Sequence, residues 1–356
     1  NKKKYKGWVF HKYLNESLRE NKNSHVKLEF INNPRKKVRG IYLNINKINP
    51  KNIQKYLKIV DQTDINTFVL DIKNANGELA FKSSSRNYPL INYNNYSYKN
   101  IYKTISMLKK NNIYIIARIV VFKDKKFIEK YPYYSFYGNK NNSWVNPYIR
   151  TYWNHIYSIA RKIAQMGVNE IQFDYIRFPV SSNSLHKEEK IDRETTLRIF
   201  LQTARKILHP MSTYISADVF GIIGTKKGET TIGQSWEAIS SNVDYISPMI
   251  YPSHFSNGFK KIAIPDQNPY KLISHVIKET ISKNNQVDHA ATVRPWIQGF
   301  TAYWLKKRRK YNSFEIYEQI RALQDNSVGE YLIWNPSSRY NHLPDPLKLS
   351  RKVNIK

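Results

Sequence analysis

The sequence predicts a closed (β/α)8 TIM barrel, and three observations favour that fold class. Eight runs rich in Val, Ile, Phe and Tyr alternate with stretches of helical periodicity. Several of these runs end on a carboxylate, as barrel strands do where they build a site at their C-terminal ends. Asn44-Ile45-Asn46-Lys47 follows the first run, so the glycine-rich turn typical of an open doubly wound sheet is missing there. The open sheet is the alternative fold.

The eight predicted strands are mostly bounded by Asn, Gly or Pro. They are Val38–Asn44, Thr67–Lys73, Tyr114–Phe122, Glu170–Phe178, Tyr214–Gly221, Val243–Tyr251, Ala291–Gln298 and Glu330–Asn335. Apolar residues spaced i, i+3, i+4 and i+7 predict helices between them. The helices are Asn52–Ile65, Tyr98–Asn111, Trp153–Met166 and Thr195–Leu208, with weaker patterns over Gln234–Asn242, Pro269–Lys283 and Ser313–Gln324. This alternation is the order expected of consecutive βα units.

Three long segments interrupt the alternation after strands two, three and six. They are Asn74–Ser97, Lys123–Tyr152 and Pro252–Asn268, and all are polar and aromatic. Loops of that length without regular structure are usually functional. At the C-terminal rim of a barrel they would carry substrate-binding residues.

The ends of the chain lie outside the barrel repeat. Residues 1–36 form an N-terminal extension in which Gly7-Trp8-Val9-Phe10-His11-Lys12-Tyr13-Leu14 resembles the closing strand of a bacterial SH3 domain. We therefore expect an SH3-like module upstream. The barrel is assigned to residues 37–345, and residues 346–356 form a basic tail.

Composition excludes several classes of protein. Hydrophobic residues make up 41% of the 356 residues, which is enough for a large core, and no apolar run is long enough to cross a membrane. The absence of cysteine excludes disulfides and a cysteine nucleophile. No P-loop, Rossmann fingerprint or serine-hydrolase elbow occurs. The net charge of +31 favours polyanionic partners, unless it only reflects coding bias toward Lys and Asn.

Charged side chains recur on the inward face of the predicted strands. Because alternate side chains of a strand share a face, the apolar side of the fourth run packs outward and turns Gln172 and Asp174 inward. The same alternation predicts an inward ring composed of Asp71, Lys73, Arg118, Asp174, Asp218 and Arg294. Two carboxylates on neighbouring strands suit glycoside hydrolysis, with Arg118 and Arg294 orienting the acids. Alternatively, the ring is a structural network of paired charges, or its three aspartates hold Mg²⁺ or Ca²⁺.

Aromatic residues at the strand ends suit a sugar substrate. Tyr251, Trp296 and Trp334 lie there, and Trp144 lies in a rim loop. Ordinary core packing is the alternative explanation for these rings. Further candidates for substrate binding are Arg177, which follows Asp174 closely, His254, just beyond a strand, and the inward-facing Gln298. The nine histidines show no metal-ligand spacing, so we expect neither a metal nor a cofactor.

Seven motifs, in order, resemble a bacterial family of glycosyl hydrolase domains first defined as a domain of unknown function. They are Val38-Arg39-Gly40-Ile41-Tyr42, Leu70-Asp71-Ile72-Lys73, Ala117–Asp124, Gln172–Pro179, Asp218-Val219-Phe220-Gly221, Ile246–His254 and Arg294-Pro295-Trp296-Ile297-Gln298. The resemblance covers about residues 37–340 and implies a TIM barrel of the glycosidase superfamily in an exported or envelope-attached protein. Relatives tend to carry an acid where this chain has Asn74 and another where it has Gly299.

These observations predict an extracytoplasmic, monomeric hydrolase of a cell-envelope glycan, such as peptidoglycan, or of an exopolysaccharide. By analogy with the α-amylase superfamily, Asp174 is the expected nucleophile or base and Asp218 the general acid. A non-catalytic glycan-binding or envelope-scaffold barrel is the alternative, supported by the missing acids at Asn74 and Gly299. Nucleic-acid binding, indicated only by the net charge, is a third hypothesis.

Overall fold

The computed structural model describes residues 27–81, 98–137, 143–180, 191–226, 228 and 230–344. Its strands are β1 Arg39–Leu43, β2 Thr67–Lys73, β3 Tyr114–Val120, β4 Glu170–Asp174, β5 Tyr214–Phe220, β6 Tyr245–Met249, β7 Thr292–Val293, β8 Trp296–Gln298 and β9 Tyr331–Trp334. All are parallel, and each pairs with the next around a ring that β9 closes on β1. Strands β7 and β8 both pair with β6 and share one position. The sheet is therefore a closed eight-position barrel, and the predicted fold class is confirmed.

Helices surround the barrel and connect most of its strands. They are α1 Pro50–Val60, α2 Tyr98–Lys110, α3 Lys125–Lys130, α4 Arg150–Gln165, α5 Arg193–Leu208, α6 Trp236–Ser240, α7 Pro269–Asn284 and α8 Ser313–Asp325. Their starts follow local chemistry: the Asn49 side chain caps α1 ahead of Pro50, and Asn312 forms a capping box with Glu315 at α8. No helix in the described part of the chain is long and apolar enough to span a bilayer.

The structure differs from the sequence prediction at several elements; strand β4, for example, ends at Asp174 rather than at Phe178. The seventh strand is split at Arg294-Pro295, where Pro295 has no N–H to donate to the ladder. The segment Lys123–Tyr152 is not an irregular loop throughout, because Asp124 accepts a hydrogen bond from Phe127 N and starts α3. Helix α1 ends at Val60 rather than at residue 65.

Contacts divide the chain into Asn1–Pro34 and Arg35–Lys356. The predicted SH3-like stretch, residues 7–14, and the basic tail, residues 346–356, lie outside the described residues. The site predicted on the barrel lies wholly within the second unit.

The N-terminal end of the barrel is closed by a buried ion-pair network. Arg294 Nη1 lies 2.8 Å from Glu170 Oε2, and Arg294 Nε lies 2.9 Å from Glu330 Oε2. The Tyr114 hydroxyl donates to Glu170 Oε2 over 3.1 Å, and the Arg294 guanidinium lies 3.6 Å from the centre of the Tyr245 ring. We call this cluster of five side chains the closed end. It leaves the opposite, C-terminal end of the barrel as the place for a site.

Candidate active site

A cavity of about 390 Å³ opens at the C-terminal end of the barrel. It lies at the ends of β4 and β5, where Asp174 is the last residue of its strand and Asp218 lies two residues before the end of its own. The cavity is lined by Arg118, Asp174, Tyr175, Arg177, Asp218, Phe220, Gln234, Met249, Tyr251, His254, Trp296 and Trp334. Eight residues predicted from the sequence to form the site therefore meet around one space: Asp174, Asp218, Arg118, Arg177, Tyr251, His254, Trp296 and Trp334.

Arg118 joins two carboxylates beneath this cavity. Its Nε and Nη2 donate to Asp174 Oδ2 over 3.0 and 2.5 Å, and its Nη1 donates to Asp71 Oδ1 over 2.5 Å. The Tyr42 hydroxyl donates to the other Asp71 oxygen over 2.9 Å. Hydrogen bonds of this charge-assisted kind fix the position of the Asp174 side chain. Asp71 does not line the cavity. Its hydrogen bond with Arg118 instead helps to hold the guanidinium in position.

Asp218 has a different environment from Asp174. Its side chain is 1% exposed, and Oδ1 accepts a hydrogen bond of 2.7 Å from Trp296 Nε1. The nearest Arg118 nitrogen is 4.0 Å from Asp218 Oδ2, beyond hydrogen-bond range. Burial raises the pKa of the Asp218 carboxyl well above its usual range, and the Asp174 charge raises it further, against the opposing effects of Arg118 and Trp296. Asp218 is therefore biased toward the protonated form.

The backbone turns sharply directly after Asp174. Tyr175 has a φ of 51°, in the left-handed region that a bulky side chain seldom adopts. Its N–H donates to Asp174 Oδ1 over 2.6 Å. Strain of this kind is concentrated at functional sites, where the surrounding structure compensates for it. Here the turn both binds the carboxylate and places the Tyr175 ring in the cavity wall.

Arg177 lies among aromatic rings on the wall of the cavity. Its guanidinium carbon is 4.4 Å from the ring centre of Trp144, 5.0 Å from that of Phe220 and 5.5 Å from that of Tyr175. Its Nη1 donates a hydrogen bond to Phe178 O over 3.0 Å. Among the described residues, no carboxylate forms an ion pair with Arg177. A cation stacked on aromatic rings with free N–H donors is available to a ligand.

Aromatic residues form other parts of the cavity wall. The Trp334 ring lies 4.0 Å from that of Tyr42 and 5.7 Å, nearly perpendicular, from that of Trp296. His254 Nδ1 is 3.0 Å from Ser253 Oγ, and burial lowers the pKa of His254, which favours the neutral imidazole. The cavity therefore combines flat apolar rings with a few convergent polar groups, as ligand sites usually do.

Besides Asp71, three residues predicted to belong to the substrate-binding site, Lys73, Arg294 and Gln298, lie away from the cavity. Lys73 is fully buried and pairs with Asp124 over 2.9 Å, because the β2–β3 register shifts after Asp71 and redirects its side chain. Arg294 belongs to the closed end. Gln298 accepts a hydrogen bond from Ser253 N and donates one to Phe300 O, each over 3.0 Å. The structure thus gives these residues partners within the protein rather than a face on the cavity.

Sequence reasoning did not single out Phe220, Gln234 or Met249, which also line the cavity. Gln234 accepts from Phe220 N over 3.1 Å and donates to Ile176 O over 3.2 Å. It therefore ties together the segments that follow the two aspartates. No local pattern marks such a residue, since its function depends on two segments that are distant in sequence.

At Asn74 and Gly299, where the family resemblance predicts acids in relatives, the local structure of this chain restricts the side chain. A Cβ at Gly299 would lie 2.7 Å from Ile333 Cγ2, so a larger side chain requires its neighbours to move. Asn74 closes a turn: its Oδ1 accepts from the backbone N of Asn76 and of Glu78, and its Nδ2 donates to Glu78 Oε2 over 2.7 Å. Within the described residues, no three His, Asp or Glu side chains are grouped as metal ligands would be.

The sequence of residues 40–340 matches a family described as "Putative glycosyl hydrolase domain". The match spans most of the chain, so this protein belongs to that family, and the sequence-based assignment to it is confirmed. Family membership also confirms the predicted enzyme class, glycoside hydrolase. No curated protein matches the chain.

Solved structures share the fold at low sequence identity. The PgaB (BpsB) glycoside hydrolase domain from Bordetella bronchiseptica is 12% identical, with a TM-score of 0.59 over 85% of this chain and 94% of that one. A class V chitinase from Pseudomonas fluorescens Pf-5 is 11% identical, with a TM-score of 0.53 over 85% and 96%. The spore cortex-lytic enzyme SleL from Bacillus cereus is 11% identical, with a TM-score of 0.52 over 92% and 74%. At these identities the likeness concerns the barrel fold.

Proposed function

We propose that the cavity hydrolyses a glycosidic bond, with Asp174 as nucleophile or base and Asp218 as general acid. The observation that carries this proposal is the contrast between the two carboxyl groups. Two Arg118 N–H groups donate hydrogen bonds to Asp174, whereas Asp218 forms no hydrogen bond with Arg118 and burial raises its pKa. A pair of carboxyl groups with opposite protonation states is what acid-assisted cleavage of a glycosidic bond requires.

The chemistry follows from that contrast. Asp218 gives its proton to the glycosidic oxygen as the bond to the anomeric carbon breaks, and the sugar develops positive charge. Asp174 either attacks that carbon or activates a water molecule that does. In the first case, the protein–sugar bond is then cleaved by water, which Asp218, now ionised, deprotonates.

The separation of the two acids is compatible with both mechanisms. Arg118 Nε lies 3.0 Å from Asp174 Oδ2 and 4.0 Å from Asp218 Oδ2. Those oxygens are therefore within about 7 Å of each other, which covers separations of about 5–5.5 Å for retention and the lower part of about 6.5–9.5 Å for inversion. The anomeric configuration of the first product, followed by proton NMR, distinguishes the two.

The substrate that we propose is a glycan of the cell envelope, such as peptidoglycan, or an exopolysaccharide, met outside the cytoplasm by a monomeric enzyme. Supporting this choice, Tyr251, Trp296 and Trp334 give the cavity flat apolar walls that suit pyranose rings. The structural neighbours named as a chitinase and a spore cortex-lytic enzyme share the barrel. The positive net charge would also attract an anionic glycan.

Replacement of the nucleophile tests the proposal. Wild type, Asp174→Asn, Asp218→Asn and the exposed control Asp61→Asn are incubated with peptidoglycan and a panel of α- and β-linked glycans. Released fragments are measured by mass spectrometry and folding by circular dichroism. We expect wild type and Asp61→Asn to release the same fragments, and Asp174→Asn to release about a thousandth of that amount or less. Full activity in a folded Asp174→Asn variant would remove Asp174 from its role.

A glycan-binding barrel without catalysis is the second candidate function. Asn74 closes a turn and Gly299 leaves no space for a side chain, so neither position provides the acid that relatives tend to carry there. This candidate predicts that wild type retains a glycan in a pull-down assay without releasing fragments. It also predicts that the Asp174→Asn and Asp218→Asn variants bind that glycan as wild type does.

A further inference from the structure

Two large aromatic side chains near the cavity are exposed to solvent. Trp304 is 62% exposed and Tyr303 is 73% exposed, in the segment that follows β8. Most of the other tryptophans of the described residues are buried or half-buried, so this exposure is unusual for the chain. Adjacent exposed aromatic surface of this kind marks an interaction site rather than a packing surface.

The segment that carries these rings is held in place by hydrogen bonds and an ion pair within the protein. The buried Asp266 carboxylate accepts hydrogen bonds from Arg309 N over 2.8 Å and from Gln298 Nε2 over 3.2 Å. Arg309 Nε pairs with Glu315 over 2.7 Å, and Tyr311 N donates to Thr301 Oγ1 over 3.0 Å. These contacts order the segment before any ligand arrives, which lowers the entropic cost of binding.

A groove of about 540 Å³ runs beside the exposed rings. Trp304 and Tyr303 form part of its wall, and Lys310, Arg339 and His342 contribute basic side chains. Among the described residues that line the groove, none is acidic, and neither Lys310 nor Arg339 forms an ion pair. The groove therefore offers flat rings and uncompensated positive charge together.

The groove adjoins the cavity through a series of ring contacts. The His254 ring, in the cavity wall, lies 5.9 Å from the Trp304 ring and 6.2 Å from the Phe300 ring. Phe300 in turn lies 6.1 Å from the ring of Tyr251, which also lines the cavity. A polymer bound in the cavity would extend over these rings into the groove.

We propose that this groove is a second sugar subsite, which binds an acidic unit of the same glycan that the cavity cleaves. Trp304 stacks against the ring of that unit, while Lys310 and Arg339 bind its carboxylate or phosphate group. The proposal rests on the proposed hydrolase function, and it narrows the substrate class to anionic polysaccharides. The cavity wall also carries a positive charge, like the groove. Its Arg177 stacks on aromatic rings and forms no ion pair among the described residues.

Binding is measured in the Asp174→Asn background so that the polymer is not consumed. The probes are polygalacturonate, its carboxyl-reduced neutral form, a glycerol-phosphate teichoic acid and single-stranded DNA. Trp304→Ala tests the ring, and Lys310→Gln/Arg339→Gln tests the charge. The controls are Tyr102→Ala, an exposed ring on α2, and Lys51→Gln/Lys55→Gln on α1.

We expect Trp304→Ala to weaken binding of the acidic polysaccharide by about tenfold or more, because an aromatic anchor carries much of the affinity of such a site. The charge variant should weaken binding of polygalacturonate or the teichoic acid but not of the neutral form, and whichever polymer responds identifies carboxylate or phosphate as the recognised group. The control variants should bind as the background does.

Three outcomes would overturn the subsite. The first is that both groove variants bind the acidic polymers as the background does. The second is that the control variants lose as much binding as the groove variants. The third is that the groove variants lose binding of single-stranded DNA equally, which would indicate a general polyanion surface. Failure of the hydrolase proposal is recognised separately: wild type would release no fragments from any glycan, while Trp304→Ala still lost binding of the acidic polymer.

Discussion

Two buried arginines occupy opposite ends of the barrel, and each contacts two carboxylates. At the closed end, Arg294 pairs with Glu170 and Glu330, and its guanidinium packs against the Tyr245 ring. At the open end, Arg118 pairs with Asp71 and Asp174, but its cluster borders a cavity. Both clusters therefore combine an arginine with carboxylates, but only the cluster at the open end is accessible to a ligand.

That difference separates a structural network from a chemical one. Glu170 accepts hydrogen bonds from both Arg294 and Tyr114, so its carboxylate has its partners within the protein. At the open end, Asp218 lies 4.0 Å from Arg118 and is left with a raised pKa. A carboxyl group with a raised pKa can hold a proton for transfer. Burial of charge alone therefore does not favour an active site, whereas unequal hydrogen bonding of two acids beside a cavity supports the proposed one.

Among the variants that compare the two ends, the largest effect is expected from Arg118→Gln. Loss of the guanidinium removes both N–H donors that hold Asp174 and frees two buried carboxylates to repel each other. We expect glycan hydrolysis per folded molecule to fall by about a hundred- to a thousandfold, the range known for loss of one electrostatic donor in an active site. Fragment release is measured alongside urea unfolding, with Arg118→Lys as the variant that retains the charge.

Activity equal to that of wild type in a folded Arg118→Gln variant would make the open end as purely structural as the closed end. Partial recovery in Arg118→Lys would show that charge, rather than the two-fold hydrogen bonding, is the main requirement at this position.

Arg294→Gln should affect stability alone. Removal of the guanidinium leaves Glu170 fully buried without its cation, which costs about 3–5 kcal/mol of unfolding free energy. Urea unfolding measures that loss, and fragment release per folded molecule should match wild type. Glu330→Gln, whose side chain is 19% exposed, is a milder change to the same network. A fall in activity with unchanged stability in either variant would contradict the separation of the two ends.

Strand alternation predicted the open end better than the charged ring as a whole. It turned Asp174, Asp218 and Arg118 inward from their own strands, and the structure brings these three together. It misplaced Lys73, because a register shift after Asp71 depends on pairing between strands rather than on spacing along one. Alternation predicts which face of a strand a side chain occupies, but not its level along the barrel axis. Arg294 was therefore assigned to the same ring, although its side chain lies at the closed end.

The groove beside the cavity shows a different limit of sequence reasoning. Trp304 and Lys310 lie in a segment without strand or helix periodicity, so no pattern predicted what they face. Trp304 is exposed and its ring contacts that of His254, in a segment whose Arg309 N donates to Asp266. Such sites become visible only when distant segments are placed side by side.

The smallest effect concerns the proton of Asp218 and is expected from Trp296→Phe. The indole N–H donates to Asp218 Oδ1, and a hydrogen bond to the ionised form lowers the pKa of that carboxyl. Its removal therefore raises the pKa of Asp218 further. Because a general acid acts in its protonated form, activity is lost as pH rises through this pKa, so the alkaline limb of kcat/KM should move to higher pH in Trp296→Phe. At the optimum we expect a loss of less than about tenfold, since Phe retains much of the ring surface.

Asp218→Asn is the matched comparison, because an amide does not titrate. Its residual activity should lack the alkaline limb altogether. The unfolding free energies of wild type and Asp218→Asn should also depend differently on pH. A carboxyl with a raised pKa in the folded state stabilises the protein fully at low pH and loses that contribution as pH rises through the raised value. The unfolding free energy of wild type relative to Asp218→Asn should therefore decrease with rising pH. An alkaline limb that stays in place in Trp296→Phe would assign it to another group and end the role of Asp218 as the acid.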